Sequence, residues 1–362
     1  MNNFKKLGLS ALAGSLAAIS AQAGEMAVTG SANVTAVMGE SNDSAKSIGT
    51  DKDVAFTGSG ELDNGYTFTV STLLTDAYSV SSSYTSLTMG SLGTLTFGTD
   101  FGGASYKYDE EVPQAYEQTS DASQNSANIV GNNMDNNSIV YNSPSFDVSG
   151  ASVSFDLEYT PQGNGASPAG DGGTTAKSDT QGAGVGAGIT VAVEGLKVGV
   201  YGNQVEATDS APTATNSGAV DSFEGVAYAK YSYGPVSVGF SRSYLDSGLA
   251  TAAVDVNTVK VVRTAAGIFE MDSASIAFNV NDNFSVSFTE TRDTYNAQEG
   301  IALTAATSGK RIAEVEKRTR AYQAAYSMGA MSIKAYSMDT DNVGYAVADT
   351  HHVTEIALGL AF

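Results

Sequence analysis

The sequence predicts an all-β fold, a 16-stranded antiparallel transmembrane β-barrel, on three observations. Apolar and polar residues alternate with period two through most of the chain, seven short turns alternate with eight long polar loops, and the alternation runs into the last residue, Phe362. Period two marks a strand whose two faces meet different surroundings. Short connections on one side and long ones on the other are the plan of barrels that cross a membrane.

Ahead of the first strand, Lys5 and Lys6 precede an apolar or small-residue run from Leu7 to Ile19, and Ala21 and Ala23 are residues a signal peptidase accepts. The run is shorter than the about 20 apolar residues a membrane helix requires. Residues 1–23 are therefore expected to be a cleaved signal peptide and residues 24–362 the exported barrel.

The strands follow in order. Met26, Val28, Gly30, Ala32, Val34, Ala36 and Met38 alternate with Ala27, Thr29, Ser31, Asn33, Thr35 and Val37. Val54 to Leu62 turns at Asp63-Asn64-Gly65 and returns from Tyr66 to Leu74, and Asn-Gly at that place is a strong hairpin signal. Further hairpins turn at Gly90 to Gly93, Pro144 to Gly150, Glu194-Gly195, Tyr233-Gly234-Pro235, Asn281-Asp282-Asn283 and Met328-Gly329-Ala330. The long loops fall at about 39–53, 75–83, 100–137, 160–182, 203–222, 245–272, 293–318 and 339–350. An even strand number closes without an edge, which hydrocarbon demands because unpaired backbone groups there cost several kcal/mol each.

Alternation alone also describes a soluble β-sandwich. The C-terminus separates the two readings: Ile356, Leu358, Leu360 and Phe362 carry the last strand to the end of the chain, where soluble domains usually fray. Tyr159, Tyr231 and Tyr326 fall at strand ends, as in an interfacial aromatic girdle.

Composition excludes several functions. Losing Lys5 and Lys6 leaves 16 of 18 basic residues against 39 acidic ones, so nucleic acid is not an expected partner and cations are. The chain has no Cys, which removes thiolate metal sites, thiol nucleophiles and redox motifs. His351 and His352 sit together with Asp349 nearby, but neither has a Ser or Cys partner in sequence, so no enzyme is expected. No cofactor is expected. Asp109, Glu110 and Glu111 offer oxygens of the kind calcium takes, without any EF-hand spacing, so a structural calcium is compatible and not required. Gly182 to Gly188, reading GAGVGAG, opens no helix and belongs to a strand rather than a dinucleotide loop.

Three stretches carry a family resemblance. Tyr84 to Gly98 (YTSLTMGSLGTLTFG) and Asn136 to Tyr159 (NNSIVYNSPSFDVSGASVSFDLEY) resemble the hairpins that flank the constriction loop of the trimeric Gram-negative general porins, their alphaproteobacterial branch in particular. The final IALGLAF, with Ile356, Leu358, Leu360 and Phe362, is similar to the signal read by the barrel-assembly machinery. The resemblance implies a homotrimer in the outer membrane, among lipopolysaccharide and outer-membrane lipid, delivered by periplasmic chaperones. It also implies an inward-folded constriction loop, Asp100 to Asp135.

That loop holds Asp100, Asp109, Glu110, Glu111, Glu117, Asp121 and Asp135 against one base, Lys107, and carboxylates at a narrow point favour cations. The expected function is general diffusion of small hydrophilic solutes and ions, cations preferentially. Better-known members set arginines opposite the loop, yet no Arg precedes Arg242 here. Arg242 and Arg320 share parity with lipid-facing residues and are expected to meet lipopolysaccharide phosphates. Lys197, Lys230 and Lys334 have inward parity and are the candidates for the opposite wall. The other reading is a non-conducting adhesin or anchor with a plugged lumen. Against it, Ser31, Asn33, Thr35, Ser285, Ser287 and Thr289 are small and polar, and 16 strands leave an aqueous channel.

Overall fold

A computed structural model describes residues 24–39, 46–76, 79–119, 134, 137–163, 181–207, 221–246, 250–255, 260–265, 268–296, 315–343 and 348–362. The expected signal peptide, Asp121 and Asp135 lie outside these residues.

The strands are β1 (Glu25–Gly39), β2 (Ser47–Glu61), β3 (Thr67–Leu74), β4 (Val80–Thr88), β5 (Thr94–Thr99), β6 (Ser138–Asn142), β7 (Phe146–Val148), β8 (Ala151–Thr160), β9 (Gln181–Val193) and β10 (Leu196–Ala207). They continue with β11 (Ser222–Tyr233), β12 (Val236–Asp246), β13 (Ala250–Asp255), β14 (Lys260–Ala265), β15 (Ile268–Asn281), β16 (Phe284–Asn296), β17 (Val315–Met328), β18 (Met331–Asp341) and β19 (Thr350–Ala361). Neighbours along the chain pair antiparallel, and the short β6 and β7 share β8 as partner, so together they fill one place in a wall of 16.

Closure comes from β1, which pairs β2 on one side and β19 on the other, with Ser31 opposite both Asp53 and Ala361. Phe362 seals the seam: its N–H donates to the Gly30 carbonyl at 2.9 Å and its carbonyl accepts from the Gly30 N–H at 2.8 Å. Its ring fills the space a Cβ on Gly30 would need. No sheet edge is left at this seam, which is what a hydrocarbon surrounding requires.

All seven expected turns connect paired strands. Gly65 (φ 82°), Gly195 (85°), Gly234 (55°) and Gly329 (59°) take the left-handed conformation that two-residue hairpin turns need. The loop boundaries differ from expectation in several places, among them these. β2 begins at Ser47, well inside the expected loop 39–53; β16 runs to Asn296 and β17 starts at Val315; and β13 pairs β14 as a separate hairpin within the expected loop 245–272. In β2 Ile48 is the one large apolar residue from Ser47 to Asp53, so period two carries little hydrophobic signal there although the ladder continues.

The outward face is apolar: Val28, Phe56, Val185, Ile189, Val238, Phe240, Ile276 and Tyr322 are exposed. Tyr159, Tyr231 and Tyr326 are exposed on this face at strand ends. Toward the long-loop side the outward face of β12 and β15–β19 becomes charged. Arg242 pairs with Glu270 (3.4 Å) and Asp272 (3.6 Å), Arg320 with Asp341 (2.5 Å), Arg292 and Arg318 with Glu290 (2.9 and 2.5 Å), and His352 with Asp339 (2.7 Å). His351 points the other way and is buried. The inward face is hydroxyl- and amide-rich, with Asn33, Ser71, Ser273, Thr289, Thr319 and Gln323 buried there. An interior of that kind suits water rather than an apolar core.

Candidate functional site

After β5 the chain leaves the wall and folds inside it. Asp100 (φ 51°), Gly102 (95°) and Gly103 (57°) supply consecutive left-handed or near-consecutive bends. At Gly103 the backbone passes so close to the Glu158 carboxylate that a Cβ would strike it. A single 3-10 turn, Ser105–Lys107, then presents Lys107 and Tyr108 to β8. Lys107 Nζ lies 2.6 Å from Asp156 Oδ1, the Tyr108 hydroxyl donates to Asp156 Oδ2 at 2.7 Å, and Asn142 Nδ2 donates to Oδ1 at 2.7 Å. The Tyr108 ring stacks on Tyr201 with centroids 5.3 Å apart. It fits only because Gly188 of β9 has no side chain, since a Cβ there would run into the ring. The GAGVGAG run thus lies in a strand, as expected, and its inward glycines make the slot for an aromatic of the loop.

The segment continues along the interior. Glu110 takes a positive φ of 38° and its carboxylate accepts from the Thr119 hydroxyl (2.6 Å) and the Ser273 hydroxyl (3.2 Å). Glu111 is ion-paired with Lys230 and lies 3.9 Å from Lys197, the two lysines being direct cross-strand neighbours. Ser275 donates to the Pro113 carbonyl, the Ala115 N–H donates to Ser287 at 2.9 Å, and the Tyr116 N–H donates to Gln323 at 2.8 Å. Gln323 Nε2 returns a bond to the Glu117 carbonyl at 2.6 Å. The Tyr116 hydroxyl donates to Glu355 at 2.6 Å, and its ring lies 5.3 Å from Lys334 Nζ. Burial, reinforced by the Glu355 carboxylate, pushes that hydroxyl well above its ordinary range, so it stays a donor.

Residues 105–119 therefore rest on the inward face of β8–β12 and β15–β19, and β1–β7 complete the circumference. The candidate residues divide accordingly. Asp109 and Glu110 are buried, at 7% and 2% exposure, and Glu111 is held by lysine. Glu117 is half-buried and lies within electrostatic reach of Lys334; Asp100 sits at the root of the segment. The carboxylates of Glu110 and Glu111 diverge to different strands, and among the described residues no three His, Asp or Glu side chains converge on a metal-sized site. Lys197, Lys230 and Lys334 point inward as their parity implies, but each touches the loop itself: they lie under it, not across the lumen from it. The correction has a simple cause, because parity assigns a face and says nothing of position around the barrel.

The wall left bare has its own charges. On β1–β3 every charged residue of inward parity is a carboxylate: Glu25, Asp51, Asp53 and Glu61. Lys52 has the opposite parity. Elsewhere the wall contributes Asp156, Glu158, Glu224, Asp293 and Glu355 against Lys197, Lys230, Lys317 and Lys334. Asp293 and Lys317 neutralise one another at 3.3 Å, both buried. None of these wall carboxylates figured among the sequence candidates, although the same parity rule reaches them.

The comparisons with known proteins agree with this architecture. Residues 8–296 match the Gram-negative porin family. The chain belongs to that family. No curated protein sequence matches it. Among solved structures this porin is similar to OmpF of Salmonella typhi, solved with daunomycin, at 13% identity and a TM-score of 0.65 over 94% of this chain and 98% of that one. The outer membrane channel DcaP of Acinetobacter baumannii aligns at 9% identity and a TM-score of 0.61, covering 96% and 100%. The trimer form of the outer membrane protein OmpT of Vibrio cholerae aligns at 11% and 0.60, covering 94% and 100%. At such identities the likeness concerns the fold. With the family, it makes the chain an outer-membrane β-barrel and a diffusion channel.

Proposed function

We propose that this porin is a general-diffusion channel for small hydrophilic solutes and ions, that it prefers cations, and that residues 100–119 narrow its lumen. One observation carries the reading. The inner loop lies on one side of a hydroxyl-lined interior, and the inward surface holds more carboxylates than ammonium groups, with carboxylates alone on β1–β3. Fixed charge of one sign in a low-dielectric enclosure concentrates the opposite ion.

The working form is a homotrimer. On the outward face of β3 and β4, Thr72 and Ser83 hydrogen-bond to one another at 3.3 Å, with Thr85 alongside, and such hydroxyls suit a protein neighbour better than hydrocarbon. The outward charged belt of β12 and β15–β19, Arg242 and Arg320 included, meets the headgroups of surrounding lipopolysaccharide. Export uses residues 1–23, whose removal would leave Gly24 one residue ahead of β1, and periplasmic chaperones deliver the chain to the assembly machinery, which reads the outward row Ile356, Leu358, Leu360 and Phe362.

Single-channel recording of the refolded, signal-free porin in a planar bilayer tests the channel. Large stepwise openings in groups of three are expected. A folded barrel that passes no current, or that opens only in independent single steps, would contradict the channel or the trimer respectively.

A further inference from the structure

We infer that two glycines of the wall, Gly188 of β9 and Gly239 of β12, set the width of the channel and with it the size of solute that passes. The inference rests on the proposal that residues 100–119 narrow the lumen, and assigns the opening that is left to residues lying beneath that segment.

How far a segment stands out from a wall depends on what lies under it. Gly188 and Gly239 have inward parity, opposite Tyr201 and Lys230 in the ladder, and each lies where the segment presents a ring. A Cβ on Gly188 would lie 2.6 Å from Cε2 of Tyr108, and one on Gly239 would lie 2.5 Å from Cδ of Pro113 and 3.2 Å from Cα of Val112. Carbon atoms settle at about 3.5–4.0 Å, so a side chain at either place pushes the segment about 1 Å toward the lumen. The rings have little room to step aside. Tyr108 is fully buried, stacked on Tyr201 and bonded to Asp156. At Gly239 the neighbours are a proline ring and backbone, which move only with the chain, and the Pro113 carbonyl is held by Ser275. The wall beneath Tyr108 is lowered in the same way: the Tyr201 ring lies over Gly186 and the Tyr228 ring over Gly199, and both rings border Tyr108.

Single-channel conductance, together with the rates at which sugars of increasing size swell porin-containing liposomes, reads the opening. Gly188→Ala and Gly239→Ala are each expected to lower the conductance and to slow a trisaccharide more than a monosaccharide, with Gly239→Val doing so further. Gly202→Ala is the control, since Gly202 has outward parity and a Cβ there meets nothing closer than 3.4 Å. It is expected to change neither reading. Second substitutions trace the loss to the contact. Gly188→Ala is expected to have no effect once Tyr108→Ala is present, and Pro113→Ala to restore most of what Gly239→Ala removes. The two glycines meet different rings from different strands, so Gly239→Ala tests the width even where Gly188→Ala fails to fold. Folded glycine variants that conduct and sieve as the wild type does, or that lose as much with the facing ring truncated, overturn the inference. Lys107→Cys reads the narrowing itself, as a unique thiol whose parent side chain is 49% exposed inside the barrel. A bulky thiosulfonate attached there is expected to cut the current of the unlabelled variant. An uncut current overturns narrowing by the loop and the inference with it, whereas a cut current beside unchanged glycine variants overturns the role of the glycines alone.

Discussion

The two sides of the lumen are built from similar strands and do different work. On β8–β12 and β15–β19, inward carboxylates and lysines are spent on the loop: Asp156 holds Lys107 and Tyr108, Lys230 and Lys197 hold Glu111, and Glu355 holds Tyr116. On β1–β3 the inward acids Asp51 and Asp53 stand opposite Asn33 and Ser31 in the ladder. Charge therefore has two meanings in one barrel. Beneath the loop it fastens the segment to the wall, and on the other side carboxylates stand on wall that the loop leaves uncovered.

The sharpest way to break this comparison is to make the covered wall release its loop. Asp156→Ala removes the carboxylate to which the buried Tyr108 hydroxyl and the half-buried Asn142 amide donate, at about 1–3 kcal/mol for the buried group. Unfolding in detergent is expected at a lower temperature, and single channels to become noisier and more conducting. Unchanged recordings would show that Asp156 is not an anchor. A smaller effect separates anchoring from steering. Lys230→Met leaves Glu111 with Lys197 alone, 3.9 Å away, so the lumen gains net negative charge. One unit charge about 10 Å from an ion in water is worth roughly 0.4 kcal/mol, with opposite sign for K⁺ and Cl⁻, so the reversal potential should move toward K⁺ by up to about a factor of four in permeability ratio. A shift toward Cl⁻ would mean that the loop had moved. Least affected should be Arg242→Ala on the outward belt, where an exposed pair with Glu270 and Asp272 contributes within about 0.5 kcal/mol, read as thermal stability.

The barrel was legible because its physics is local. Turn glycines, parity and the closing row Ile356 to Phe362 need only neighbours in sequence, and they yielded the strand number and all seven turns. Above the apolar band both faces are wet and period two loses its contrast, which is why the early start of β2 at Ser47 and the β13–β14 hairpin were not anticipated. The site was legible in part for the same reason. Acid content marked Asp100 to Asp135, of which residues 100–119 and 134 are described, and parity turned the three lysines inward. Which acids meet water depends on partners far along the chain, such as Ser273 for Glu110 and Lys230 for Glu111, and no local pattern encodes those meetings. Asp51 and Asp53 went unnoticed because an expected loop covered them, although their parity is as readable as that of Lys197.

The most direct test of the account is the reversal potential of the wild-type porin across a KCl gradient in a planar bilayer. The account expects it displaced toward the K⁺ equilibrium potential, because the inward surface holds more carboxylates than ammonium groups. A potential at zero or displaced toward Cl⁻ would contradict it.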